Sequence, residues 1–257
     1  MRQSCVRRFG SVAVVLIVAA FIFVARSADS QTIGSEPPAS ASPAAKYMFY
    51  LHGTWVEKKG QDTPHPRYYV TYEYDQILKT LAAKGFVVIG ESRAKGTNST
   101  DYGKKVSEQA KSLVGRGVPP GNITIAGHSK GAIITMAAAN VLKNPKVNYG
   151  IFGGCLSADG KFGRAYKKFI ATLDDRVMGR FLSLVDKEDD VAGSCTDTFR
   201  RFGEDNVTEQ IFDTGDGHGL FYQPKDIWIA PLVAFAIARS YYDTTKGLQI
   251  TANRSGR

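Results

Sequence analysis

Short continuous apolar runs alternate along the chain with longer stretches in which apolar residues recur every third or fourth position. Runs over residues 47–51, 86–90, 123–126 and 149–153 contain no polar alternation, the pattern of strands covered on both faces. Residues 180–185 and 210–213 are candidates for a fifth and a sixth strand. Between them lie helical patterns. Residues 69–84 place Tyr72, Ile77, Leu78 and Leu81 near one face, residues 101–113 form a more polar helix, residues 131–142 a helix of small side chains, and residues 227–241 an apolar one. Strands alternating with helices predict an α/β fold: a doubly wound, mostly parallel sheet of about six strands with helices on both faces. In such a sheet ligands bind beyond the carboxyl ends of the strands. There are no internal repeats.

Both ends stand outside this pattern. Arg2, Arg7 and Arg8 precede an uncharged apolar run over residues 12–25, and Ala25 and Ser27 supply small residues at a cleavage position. The pattern predicts a secretory signal peptide over residues 1–27. The alternative is an uncleaved N-terminal anchor, although the run falls short of the roughly 20 residues of a membrane span. Residues 28–45, rich in Ser, Ala and Pro, read as a flexible linker. The folded domain is expected over residues 46–245, followed by a polar tail over 246–257. The protein is thus expected to be exported, periplasmic or secreted, touching a membrane only through residues 12–25 if they are retained.

Charge and cysteines are then read for the mature chain. The net charge of +9 falls to +5 once the four arginines of residues 1–27 are removed. Basic residues do not interleave with aromatics, so no nucleic-acid partner is expected. Cys155 and Cys195 remain after cleavage. In an oxidising compartment they are a candidate disulfide, the alternative being two buried thiols. Nothing in the sequence bears on oligomeric state.

The most informative stretch follows the third strand: Gly127-His128-Ser129-Lys130-Gly131, a G-x-S-x-G motif between strand and helix. Such a turn must be tight enough to expose a serine hydroxyl, and side chains flanking it would clash. Ser129 is the candidate nucleophile. A serine hydroxyl needs a base, and His218, in a glycine-rich loop after the last strand, is placed to reach it. Of the other histidines, His128 is read as packing, His52 as a support for the loop after the first strand, and His65 as part of a surface loop between Pro64 and Pro66.

His52-Gly53, the motif around Ser129, Asp189 and Gly217-His218-Gly219 together resemble the α/β-hydrolase superfamily, over about residues 47–241. The resemblance implies a Ser-His-acid triad and acyl transfer without a cofactor or metal, in a trimmed version lacking the first two strands of larger members. It names no substrate. The acid is expected after the penultimate strand, where Asp186, Glu188, Asp189 and Asp190 cluster. By spacing Asp189 matches best and Asp190 is the runner-up. The oxyanion donors implied are the N–H of Lys130 and that of Thr54.

Residues 55–69 form a long connection, a candidate lid or binding loop in which Trp55, Tyr68 and Tyr69 would line an acyl pocket. Arg93 is a further pocket candidate, through an anionic substrate group, or else an ion-pair partner of Glu91. The segment carrying Lys161, Arg164, Lys167 and Lys168 is too short for a large cap, so an open pocket is expected. The function expected is an exported serine hydrolase that cleaves a small-molecule carboxylic ester or thioester through an acyl-enzyme. The alternatives are an acyltransferase or peptidase with the same triad, or an inactive binding protein of the same fold.

Overall fold

The computed structural model describes residues 32–157, 160–200 and 207–238. The signal segment at 1–27 and the tail at 246–257 lie outside them. Seven strands form one sheet: β1 (Ile33–Gly34), β2 (Lys46–Leu51), β3 (Phe86–Ile89), β4 (Ile123–His128), β5 (Asn148–Phe152), β7 (Arg180–Asp186) and β9 (Val207–Phe212). Their order is β1-β3-β2-β4-β5-β7-β9, and every pairing is parallel. Two short strands, β6 (Cys155–Leu156) and β8 (Ala192–Gly193), make a separate antiparallel pair.

Alternation along each strand sends side chains to opposite faces, and each face has its own core. Tyr47, Phe49, Leu51, Ile123, Ile125, Tyr149 and Ile151 meet α3 (Ser99–Gly115) and α4 (Lys130–Leu142) on one side. Met48, Tyr50, Val88, Phe152, Leu182 and Leu184 meet α2 (Tyr74–Ala83) and α7 (Asp226–Ile237) on the other. α1 (Thr54–Lys59), α5 (Gly163–Ile170) and α6 (Thr196–Phe199) are shorter. The helix α3 starts where the Asn98 side chain accepts the N–H groups of Thr100 and Asp101, satisfying two donors that have no intrahelical acceptor. The chain steps from β2 to β3 on one side and then to β4 on the other, so the winding reverses between β2 and β4. The loops after these two strands therefore border the crevice where such sheets bind ligands.

Three expectations are corrected. The part of the presumed linker that is described, residues 32–45, is laid on the domain. Ile33 and Gly34 pair with Val88 and Ile89, Gln109 bonds Ser35 O and Glu36, Arg116 bonds Pro38 O, and Ala41 and Ala45 pack on the core. The sheet thus gains a seventh strand, too short to carry an apolar period. Second, α2 begins at Tyr74 and not at residue 69, because Tyr69 has φ 55°, a left-handed conformation incompatible with a helix. Third, the stretch after β2 is not all loop: residues 54–59 form α1, and a bridge between Pro64 and Thr71 closes a turn beyond it.

Cys155 and Cys195 form a disulfide, with Cα atoms 5.1 Å apart. It ties the end of β6 to α6 across the β6–β8 pair.

Candidate active site

Ser129 sits between β4 and α4 at φ 56°, ψ −119°, a conformation that is costly for a non-glycine residue and held only when its surroundings enforce it. The surroundings are close-packed. A methyl group at Gly131 would stand 1.9 Å from Leu51 O, and one at Gly127 would stand 2.4 Å from the Gly131 carbonyl carbon. Both glycines are required because α4 begins directly against β4 and β2. The Ser129 N–H donates to Phe152 O at 2.8 Å, which pins the turn to the neighbouring strand. Among the described residues the Ser129 hydroxyl has no hydrogen-bond partner, and the residue is partly exposed.

His218 lies in a buried 3-10 helix, Gly217–Tyr222, beyond β9. Its Nδ1 and Asp189 Oδ2 are 2.8 Å apart, and the Asp189 side chain is fully buried. Asp189 Oδ1 accepts the N–H groups of Val191 and Ala192, each at 2.8 Å. This pair stands against the strand that pins Ser129. A methyl group at Gly153, the residue after Phe152, would lie 3.2 Å from His218 Nδ1. Phe152 also underlies the turn that carries His218: its ring stacks on Phe221 at 5.6 Å, and both rings meet Trp228 of α7.

The remaining carboxylates of the acidic loop have separate partners. Asp190 accepts the Tyr68 hydroxyl at 3.0 Å and pairs with Arg67, so it turns away from His218. Asp186 accepts the Thr214 N–H and hydroxyl and the Glu188 N–H. Burial pushes its carboxyl up, but these bonds and one from the Gly217 N–H outweigh burial and hold it below the usual range. Asp186 thereby fastens the end of β7 to the loop that carries His218. His128 is buried, as its reading as packing requires, with its ring 4.6 Å from that of His218. Burial, and then the proximity of His218, keep it neutral well below the ordinary histidine range.

The loop after β2 reaches the same place. A methyl group at Gly53 would stand 3.3 Å from Ser129 Cβ. The Gly53 N–H donates to the Tyr72 hydroxyl at 3.2 Å, and that hydroxyl lies 3.3 Å from His128 Nδ1. Thr54 and Lys130 are the first residues of α1 and α4, positions whose N–H groups have no intrahelical acceptor. Two helix starts thus flank Ser129. His52 is fully buried. Its Nε2 accepts the Arg93 N–H at 2.9 Å, which leaves Nδ1 to donate to Gly53 O at 2.8 Å. Burial, the charge of Arg93 and that of Lys130 lower its pKa to about 3.

Arg93 is not a pocket residue. Its side chain is fully buried, bonds His52 O, and faces Glu57 with Nε 3.7 Å from Oε2. Its partner is therefore Glu57, while Glu91 pairs with Lys105 at 2.6 Å and accepts the Tyr102 hydroxyl. The other pocket candidates divide. Trp55 donates to Thr63 O at 2.8 Å and meets His65 at 4.2 Å between ring centres. His65 stacks on Tyr68 at 4.6 Å, and Tyr68 lies 6.2 Å from His218. Tyr69 points to solvent, 88% exposed. His65 thus belongs to the aromatic group beside His218 and not to a bare surface loop. Sequence reasoning also passed over Glu57 and Tyr72 as site residues. Glu57 was hidden inside a stretch read as loop, and Tyr72 among the apolar residues of a helix it does not enter.

No family model matches the chain, and no curated protein does. Solved structures do. A truncated carbohydrate esterase from gut microbiota aligns with 77% of this chain and 87% of its own, at TM-score 0.51 and 14% identity. 2,6-dihydroxy-pseudo-oxynicotine hydrolase aligns with 78% of this chain at TM-score 0.50 and 15% identity, and a bifunctional GH43-CE protein of Bacteroides eggerthii with 76% at TM-score 0.49 and 15% identity. The chain spans 63% of the former's length and 34% of the latter's. With its parallel sheet, its serine at the turn after β4 and its histidine beyond β9, the chain has the α/β-hydrolase fold.

Proposed function

We propose that the protein is an exported serine hydrolase acting on carboxylic esters, with Ser129 as nucleophile, His218 as base and Asp189 as the orienting acid. The observation that carries this reading is the 2.8 Å contact between His218 Nδ1 and a buried Asp189, at the sheet edge where Ser129 is held in a strained turn. Asp189 fixes the tautomer with the proton on Nδ1, leaving Nε2 free to accept. Ser129 Oγ then attacks the substrate carbonyl while its proton passes to His218 Nε2. The carbonyl oxygen becomes an oxyanion facing the N–H groups of Thr54 and Lys130. Collapse of this intermediate expels the alcohol, which takes the proton from His218 and leaves an acyl-Ser129. Water, deprotonated by His218, repeats the sequence and releases the acid.

Carboxylic esters are favoured over other acyl substrates because neighbours sharing the fold include a carbohydrate esterase. The Cys155–Cys195 disulfide supports export, since such bonds persist in oxidising compartments. The test is labelling of the full chain with a fluorophosphonate, which traps an activated serine. The wild type should label, folded Ser129→Ala should not, and His218→Ala should label far more slowly. A folded wild type that resists the probe would refute the reading and favour a binding protein.

A further inference from the structure

Two helix starts, α1 and α4, carry the N–H groups assigned to the oxyanion, and a buried ion pair joins them. Glu57, in the first turns of α1, places Oε1 2.6 Å from the ammonium of Lys130, the first residue of α4. The same oxygen accepts the Gly96 N–H at 2.9 Å, and Oε2 faces Arg93. The Glu57 and Arg93 side chains are 1% and 0% exposed, and that of Lys130 is 19% exposed. We propose that Glu57 and the Lys130 side chain are positioning residues, a brace that fixes the spacing of the Thr54 and Lys130 N–H groups around the oxyanion. The inference rests on the hydrolase reading above.

Helix stability does not explain the arrangement. A cation at the first position of a helix opposes the helix dipole, and removing a carboxylate from water is costly unless it is well paired. A brace does explain it. Thr54 and Glu57 share a turn of α1, so a bond from Glu57 to Lys130 sets one donor against the other across Ser129. The cluster also holds two cations against one anion. Its excess positive charge lies beside Gly53 and is felt there, since both Arg93 and Lys130 oppose protonation of His52. A net positive field at that point favours charge developing on the carbonyl oxygen. Nothing in the brace needs to touch bound substrate, so its loss should appear in turnover and not in affinity.

The test uses Lys130→Met, which keeps the N–H and the length of the side chain, with Lys130→Arg as the conservative control. Active sites are counted by fluorophosphonate titration and kcat is expressed per labelled site. Loss of one oxyanion donor costs about 10²–10³ in kcat, so loosening a donor should cost about ten- to a hundredfold. We expect Lys130→Met to lose that much in kcat with KM within about threefold, and Lys130→Arg to recover most of it. Glu57→Gln reads the brace from its other end, whether or not Lys130→Met folds, and should show the same loss per labelled site. A purely structural role would instead lower the number of labelled sites and leave kcat per site unchanged, and that result would overturn the proposal. An unlabelled, folded wild type overturns the hydrolase reading and the brace with it. A labelled wild type beside variants within twofold in kcat per site overturns the brace alone.

Discussion

Replacing Asp189 by Asn separates orientation from mere proximity, because the structure dictates how the new amide must sit. Asp189 Oδ1 accepts two backbone N–H groups, from Val191 and Ala192. An asparagine has one oxygen acceptor, and two donors already claim that position. Its oxygen must therefore face the backbone, and its NH2 must face His218 Nδ1. That forces Nδ1 to accept and moves the imidazole proton to Nε2, where it blocks transfer from Ser129. The alternative amide orientation would set an NH2 against two N–H donors and leave all three unsatisfied, at about 1–3 kcal/mol each. Neutralising an orienting aspartate in this way costs on the order of 10⁴ in kcat, about 5.5 kcal/mol of transition-state stabilisation. Asp190→Asn is the control. Its ion pair with Arg67 is solvent-exposed, and such pairs contribute about 1 kcal/mol or less, so activity should stay within about tenfold. The assay is kcat/KM on a short-chain p-nitrophenyl ester, with thermal melting to confirm folding. If Asp189→Asn stays within tenfold of the wild type, or Asp190→Asn is the more damaged, the assignment of the acid is wrong.

Other expectations are simpler. Gly131→Ala puts a methyl group 1.9 Å from Leu51 O, and should cost about 3 kcal/mol or more, read as a lowered urea midpoint; wild-type stability would contradict the close approach. Reducing the Cys155–Cys195 bond, which spans a sequence separation of 40, should cost about 4 kcal/mol by chain entropy, and a melting temperature indifferent to reductant would contradict this. Acid should destabilise the fold through His52 and His128, both of which stay neutral in the folded state. The unfolded chain takes up protons near pH 6.5, whereas folded His52 does not until about pH 3. Stability therefore falls as pH drops from about 6.5 towards 3, and His52 alone should remove about 2 kcal/mol between pH 7 and pH 5. Urea unfolding at those two pH values checks this, and equal midpoints would rule it out.

The doubly wound sheet was legible because its strands are continuous apolar runs, and Ser129 because a tight turn between strand and helix leaves glycine at fixed positions. His218, and an acid from the cluster after β7, were candidates from the order of residues along such a sheet. What sequence hid depends on contacts between distant segments. The strand β1 is two residues in a Ser- and Pro-rich stretch, and only its pairing with Val88 and Ile89 makes it a strand. Arg93 reads in the sequence as a partner of Glu91 or as a pocket cation, and only Glu57, from another element, shows where its charge is placed. Asp189 and Asp190 are adjacent and chemically alike, and only the direction in which each carboxylate points distinguishes them.

The aromatic stack of Phe152, Phe221 and Trp228 lies beneath both halves of the site. Phe152 supplies the carbonyl that holds Ser129, and Phe221 belongs to the turn that carries His218. In the proposed triad, the gap between Ser129 and His218 is therefore shimmed from inside the molecule. A substitution in these rings that no substrate could reach would still lengthen or shorten that gap. Sequence drift at such interior positions would register as altered turnover at constant affinity, so that tuning of the reaction rate need not leave any trace on the walls of the pocket.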